Sequence, residues 1–118
     1  IRAFLNRYFE TWSKRDMEGY GACFAPEARI LFIARSGEIV SEGTVDFLHG
    51  QKLAHERSSF PMTERPLEMK IQGDMKVAQA VVTWVLNKGA KEERGTDFFT
   101  LRRDGAGWRV VSLVFYGE

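Results

Sequence analysis

The chain has 118 residues, 44% of them hydrophobic and 28% charged, and a formal net charge of +1. This length fits one domain that buries a core of its own, and the near-balance of 17 basic and 16 acidic residues, with no basic run interleaved with aromatics, argues against a nucleic-acid module. One cysteine, Cys23, excludes an intrachain disulfide, and the two histidines and one cysteine, widely spaced as a set, make no metal-ligand pattern. No apolar stretch approaches the roughly 20 residues of a membrane span, no charged-then-apolar signal segment is present, and a cytoplasmic location is the default expectation.

Ile1, Phe4, Leu5, Tyr8 and Trp12 fall on one stripe at helical spacing, predicting an amphipathic first helix of about 14 residues. Asp16 is placed to cap a second helix carrying Met17, Tyr20, Cys23 and Phe24. Pro26 is expected to stop that helix. Arg29 to Ala34 reads as a strand, Ser36-Gly37 as a turn, and Glu38 to Ser41 as a hairpin partner. Thr44 is expected to cap a third helix with Val45, Leu48 and Leu53 inward, although Gly50 within it costs about 1 kcal/mol relative to Ala.

Beyond Pro66 the pattern is all strand: Leu67 to Ile71, Val77 to Leu86, Thr96 to Arg103 and Trp108 to Tyr116, separated by Gly- and Asp-containing turns. Helices first and a strand meander afterwards indicate one α+β domain over residues 1–118. Strands apolar at both parities are usually buried on both faces. Three helices cover only one face, so the outer face is expected to meet a second copy in a homodimer.

This order of elements resembles the nuclear transport factor 2-like superfamily, in particular its SnoaL-like and ketosteroid isomerase-like members. The resemblance spans essentially the whole chain. It is carried by ArgAspMetGluGly (15–19), PheAlaProGluAla (24–28), ThrAspPhePhe (96–99) and the ending from Asp104. It implies a cone-shaped cystatin-like roll, three N-terminal helices packed on a curved antiparallel sheet around an apolar cavity, working without cofactor or metal. In the isomerases of this type a helix-1 tyrosine and a protonated late-strand acid hold an oxyanion, while a first-strand carboxylate acts as base. By that resemblance the donors are Tyr8 and Asp97, and the cavity lining includes Trp12, Val82, Trp84 and Phe99. The base position holds Phe32, which becomes a lining residue instead.

A replacement base is sought among His49, His55, Glu56 and Glu64, with His55 best placed near the helix end and suited by its ordinary pKa. The competing reading makes it a partly exposed surface histidine. Tyr8, His55 and Asp97 together also match the tyrosine-histidine-aspartate set of scytalone dehydratase-like relatives. The limonene epoxide hydrolase-like pattern lacks its second aspartate here. The function expected is binding of a small, largely apolar carbonyl- or enol-bearing molecule, with isomerase, dehydratase or cyclase chemistry open. The alternative is a non-catalytic binding or dimerisation module whose cavity is filled by its own side chains.

Overall fold

A computed structural model describes residues 1–118 and gives the order α1 (Arg2–Ser13), α2 (Met17–Gly21), β1 (Phe24–Ile33), β2 (Ile39–Gly43), α3 (Thr44–Arg57), β3 (Met62–Gly73), β4 (Val77–Lys88), β5 (Lys91–Asp104) and β6 (Gly107–Gly117). The six strands form one sheet in the order β2-β1-β6-β5-β4-β3. All neighbours are antiparallel except β1 and β6, which run parallel and join the first hairpin to the meander. Only α1 and α2 precede the sheet; α3 is inserted between β2 and β3.

α1 buries Phe4, Leu5, Tyr8, Phe9, Thr11 and Trp12, each large apolar side chain contributing about 1.5–3 kcal/mol. The buried Thr11 hydroxyl is satisfied within the helix by donating to the Arg7 carbonyl at 2.8 Å. The helix ends in a Schellman motif: the amide of Asp16 donates to Thr11 O and that of Arg15 to Trp12 O. Arg15 therefore takes a left-handed φ of 59°. Asp16 then caps α2, its carboxylate accepting from Gly19 N at 3.0 Å.

The structure corrects several details of the sequence reading. Pro26 does not terminate α2; the helix ends at Gly21, and Pro26 lies inside β1, where the register against β6 shifts between Phe24 and Arg29. Thr44 is the first residue of α3, not its side-chain cap, and its hydroxyl donates to Ala25 O at 2.8 Å. The inward face of α3 centres on Phe47 and His55, while Val45 is 81% exposed. Leu48 packs half-buried against the core and Leu53 is half-buried, so periodicity errs at Val45 and misses Phe47 and the polar His55.

Register shifts with the extra residue in β1, β3 and β6 bend the sheet around the helices. Pro66 sits at the β3 shift, and β3 is an edge strand, where a missing N–H breaks no ladder. The concave face is divided lengthwise. At one end Ala78, Ala80, Leu101 and Val110 are buried with Leu5 and Phe9 as close-packed core. At the other end the same strands, at Trp84, Leu86, Asp97 and Phe115, surround a cavity.

Candidate functional site

The cavity measures about 470 Å3, the size class of small-molecule pockets. It is walled by Trp12, Phe32, Phe47, Trp84 and Phe115, with Tyr8, Tyr20, Glu64 and Asp97 supplying polar groups and Arg35 and Glu93 exposed among its lining residues. Phe32 and Trp84 thus form walls of an open space rather than plugs. No group of three or more His, Cys, Asp or Glu side chains is arranged to hold a metal ion.

Tyr8 and Asp97, one on α1 and one on β5, line this cavity together. Tyr8 is fixed by aromatic contacts: Tyr20 at 4.9 Å, Phe99 edge-on at 5.1 Å and Phe9 edge-on at 5.2 Å between centroids. The Tyr20 and Tyr8 hydroxyls are joined by a hydrogen bond at 2.8 Å, and both residues line the cavity. Burial first, then the neighbouring Tyr20 and Asp97 charges, raise the Tyr8 pKa well above its ordinary value. It stays a neutral donor.

Asp97 is 4% exposed, and its carboxylate oxygen accepts from Trp84 Nε1 at 3.0 Å. Burial raises its pKa to about 8, against a smaller lowering by the Trp84 N–H. Burial thus favours the neutral, proton-donating form of this carboxyl. The Trp84 indole reaches Asp97 because Gly95, its cross-strand partner on β5, has no side chain. A Cβ there would meet Trp84 Cζ2 at 2.1 Å. Gly117 pairs with Gly95 across β6, extending the gap.

The other expected site residues divide. Trp12 lines the cavity and donates from Nε1 to Gln51 Oε1 at 2.9 Å. Val82 is fully buried beneath, in register with Asp97, and Phe99 is spent packing on Tyr8, so neither reaches the open space. His55 departs most from expectation. It is 6% exposed rather than a surface group, and it lies behind Trp12, ring centroids 4.2 Å apart, outside the cavity lining. Burial, then the Arg15 charge, lowers its pKa, and its Nε2 has no hydrogen-bond partner.

Of the four replacement bases named from the sequence, Glu64 is the one that lines the cavity; His49 and Glu56 are exposed on α3. Glu64 stands near the start of β3, and Ser13 at the end of α1 clamps its backbone. The Ser13 Oγ accepts from Glu64 N at 2.8 Å and donates to Glu64 O at 2.9 Å. The carboxyl itself has no hydrogen bond or ion pair. Burial, then the Asp97 charge, raises its pKa well above the ordinary glutamate range. Tyr20 was legible only as a core position of the second helix, and no sequence signal marked its hydroxyl.

Solved structures with this architecture are numerous. The chain resembles a nuclear transport factor 2-like protein of unknown function from Pseudomonas putida (15% identity, TM-score 0.83, covering 98% of this chain and 82% of that one). It is similar to a cystatin-like-fold protein of unknown function from Nostoc punctiforme (15%, TM-score 0.79, 99% and 87%). A protein of unknown function from Mycobacterium tuberculosis shares the fold at 20% identity, with a TM-score of 0.80 over 99% and 69% of the two chains. No curated protein matches the chain. Residues 1–116 match the family described as "Putative lumazine-binding". The chain belongs to that family, within the nuclear transport factor 2-like superfamily.

Proposed function

We propose that the cavity binds a small, largely apolar molecule through a carbonyl, enol or phenol oxygen, held by the Tyr8 hydroxyl and the neutral Asp97 carboxyl. The observation that carries this is the pairing of two donors with an apolar-walled space of about 470 Å3. Aromatic walls suit a flat ring system, and the family's description accords with that. Donors aimed at an oxygen that gains negative charge contribute a few kcal/mol of transition-state stabilisation. This supports isomerase, dehydratase or cyclase chemistry through an enolate as the catalytic form of the reading.

Tryptophan fluorescence during titration with 2-naphthol tests it. Saturable binding weakened at least about tenfold, or about 1.4 kcal/mol, by Tyr8→Phe and by Asp97→Asn supports the donor pair. Binding that ignores both substitutions, or no binding, returns the cavity to a non-catalytic role.

The outer face of the sheet is read as a self-association surface. There Phe98, 42% exposed, stacks on Tyr116 at 6.2 Å and borders a groove of about 400 Å3. Sedimentation of the native chain and of Phe98→Glu distinguishes a homodimer through this face from a monomer. No helix is long and apolar enough to cross a membrane.

A further inference from the structure

We propose that Glu64 is the proton acceptor of this site, taking a proton from the carbon next to the oxygen that Tyr8 and Asp97 hold. The inference rests on the donor-pair reading and extends it to the one role that reading leaves vacant. A base must come within hydrogen-bond reach of the proton it removes. The first-strand position offers only Phe32, and His55 is screened from the cavity by Trp12.

Three features single out Glu64. Its carboxyl lines the cavity and is committed to no partner, although a carboxyl beside apolar walls is expensive to leave unpaired. Its backbone is anchored at both N–H and C=O by Ser13, so the strand position is fixed while the side chain is free. It also keeps part of its surface open toward the cavity, whereas Asp97 is almost wholly enclosed and tied to Trp84. Of the two carboxyls, Glu64 is the one able to swing to a bound molecule.

The other titratable or charged groups around it are Tyr8 on α1, Tyr20 on α2, Arg35 after β1, and Glu93 and Asp97 on β5, with His55 on α3 behind Trp12. Two carboxyls facing one cavity oppose each other's ionisation, so Glu64 and Asp97 titrate as a pair. The assignment requires the pair's single negative charge to sit on Glu64 while Asp97 keeps its proton for the bound oxygen. The Glu64 carboxylate then removes the α-proton of a bound ketone. The C–H bond breaks and an O–H bond forms on Glu64, the C–H electron pair becomes the C=C bond, and the carbonyl π pair moves onto oxygen. The enolate oxygen is met by Tyr8 and the Asp97 acid. The proton returns from Glu64 to the same carbon as exchange, or to a conjugated carbon as isomerisation, with no oxidant or reductant consumed.

The test is solvent deuterium exchange into 2-tetralone, followed by proton NMR with the full chain, beside 2-naphthol binding to the same samples. The expected result is exchange faster than in buffer, climbing with pH to the first ionisation of the pair and falling once the second carboxyl ionises. Glu64→Gln is expected to slow exchange at least about 100-fold while leaving naphthol affinity within about threefold. Glu64→Asp, which withdraws the carboxyl by one methylene, should retain more exchange than the Gln variant and guards against a folding artefact. Undiminished exchange in Glu64→Gln overturns the assignment, as does a native protein that binds naphthol without accelerating exchange. Exchange abolished by Asp97→Asn with binding intact would make Asp97 the base instead. Failure of naphthol to bind the native protein sinks the donor-pair reading first, and this role with it.

Discussion

Gly95→Ala tests the geometry of the site from the side of its packing. An added Cβ would lie 2.1 Å from Trp84 Cζ2, 2.5 Å from Cη2 and 2.4 Å from the Tyr116 carbonyl oxygen. The indole must yield, and the β5–β6 ladder that holds the Tyr116 carbonyl must shift as well. Forcing a side chain out of a packed position costs about 1–3 kcal/mol. Losing the Trp84 hydrogen bond to Asp97 adds about 0.5–1.5 kcal/mol. The expected destabilisation is thus about 2–4 kcal/mol. With an m-value of about 1–3 kcal/mol/M, the urea midpoint should fall by about 1–2 M. Displaced indole also enters the cavity, so 2-naphthol binding should weaken in parallel. Gly105→Ala is the control: nothing lies within 4 Å of its Cβ position, and its effect should stay within about 0.5 kcal/mol. A Gly95→Ala protein as stable as the native one would refute the close approach of Trp84 over β5.

Further outcomes follow from the buried titrating groups and the helix ends. Asp97 holds its proton in the fold up to about pH 8, whereas in the unfolded chain it ionises near its ordinary 3.8. The native state therefore binds more protons across that window, and stability falls as pH rises, by up to about 1.4 kcal/mol per unit. Urea titrations from pH 5 to 8 should show the native protein losing stability relative to Asp97→Asn; parallel profiles would contradict a buried neutral carboxyl. His55 acts in the opposite direction, since its lowered pKa means that the unfolded chain gains a proton first as pH drops through 6.5. Relative to the native protein, a His55→Phe variant should gain stability as pH falls from 6.5 to 5. Arg15→Gly relieves a left-handed residue at the end of α1 and should stabilise by about 1 kcal/mol; a lower urea midpoint would count against it.

Periodicity exposed the fold readily, and the site only in part. The stripe from Ile1 to Trp12, the Asp16 cap and the four long strands are local patterns, and each appears in the structure within a few residues. The β-meander ends were read short because polar stretches such as Met62–Pro66 and Lys91–Gly95 extend the strands where they line a cavity or an edge, not a core. The family resemblance, not alternation, pointed to Asp97 and Trp84, and parity cannot say where along a strand close packing gives way to open space. Val82 and Phe99 share their parity but fall among buried, close-packed residues. Glu64 ranked behind His55 because solution pKa favours histidine, whereas the fold buries the imidazole behind Trp12 and turns the glutamate to the cavity. Gly95 lay outside the strand as read from Thr96 to Arg103, so its close approach to Trp84 carried no signal in the sequence.

The central claim is that Tyr8 and Asp97 hold one oxygen of a bound molecule. A crystal structure of the complex with 2-naphthol tests it most directly. The account predicts the naphthol ring between Trp84 and Phe32, its oxygen within about 3.2 Å of both the Tyr8 hydroxyl and the Asp97 carboxyl. A naphthol seated in the outer groove beside Phe98, or one whose oxygen points to Arg35 and Glu93, would contradict it.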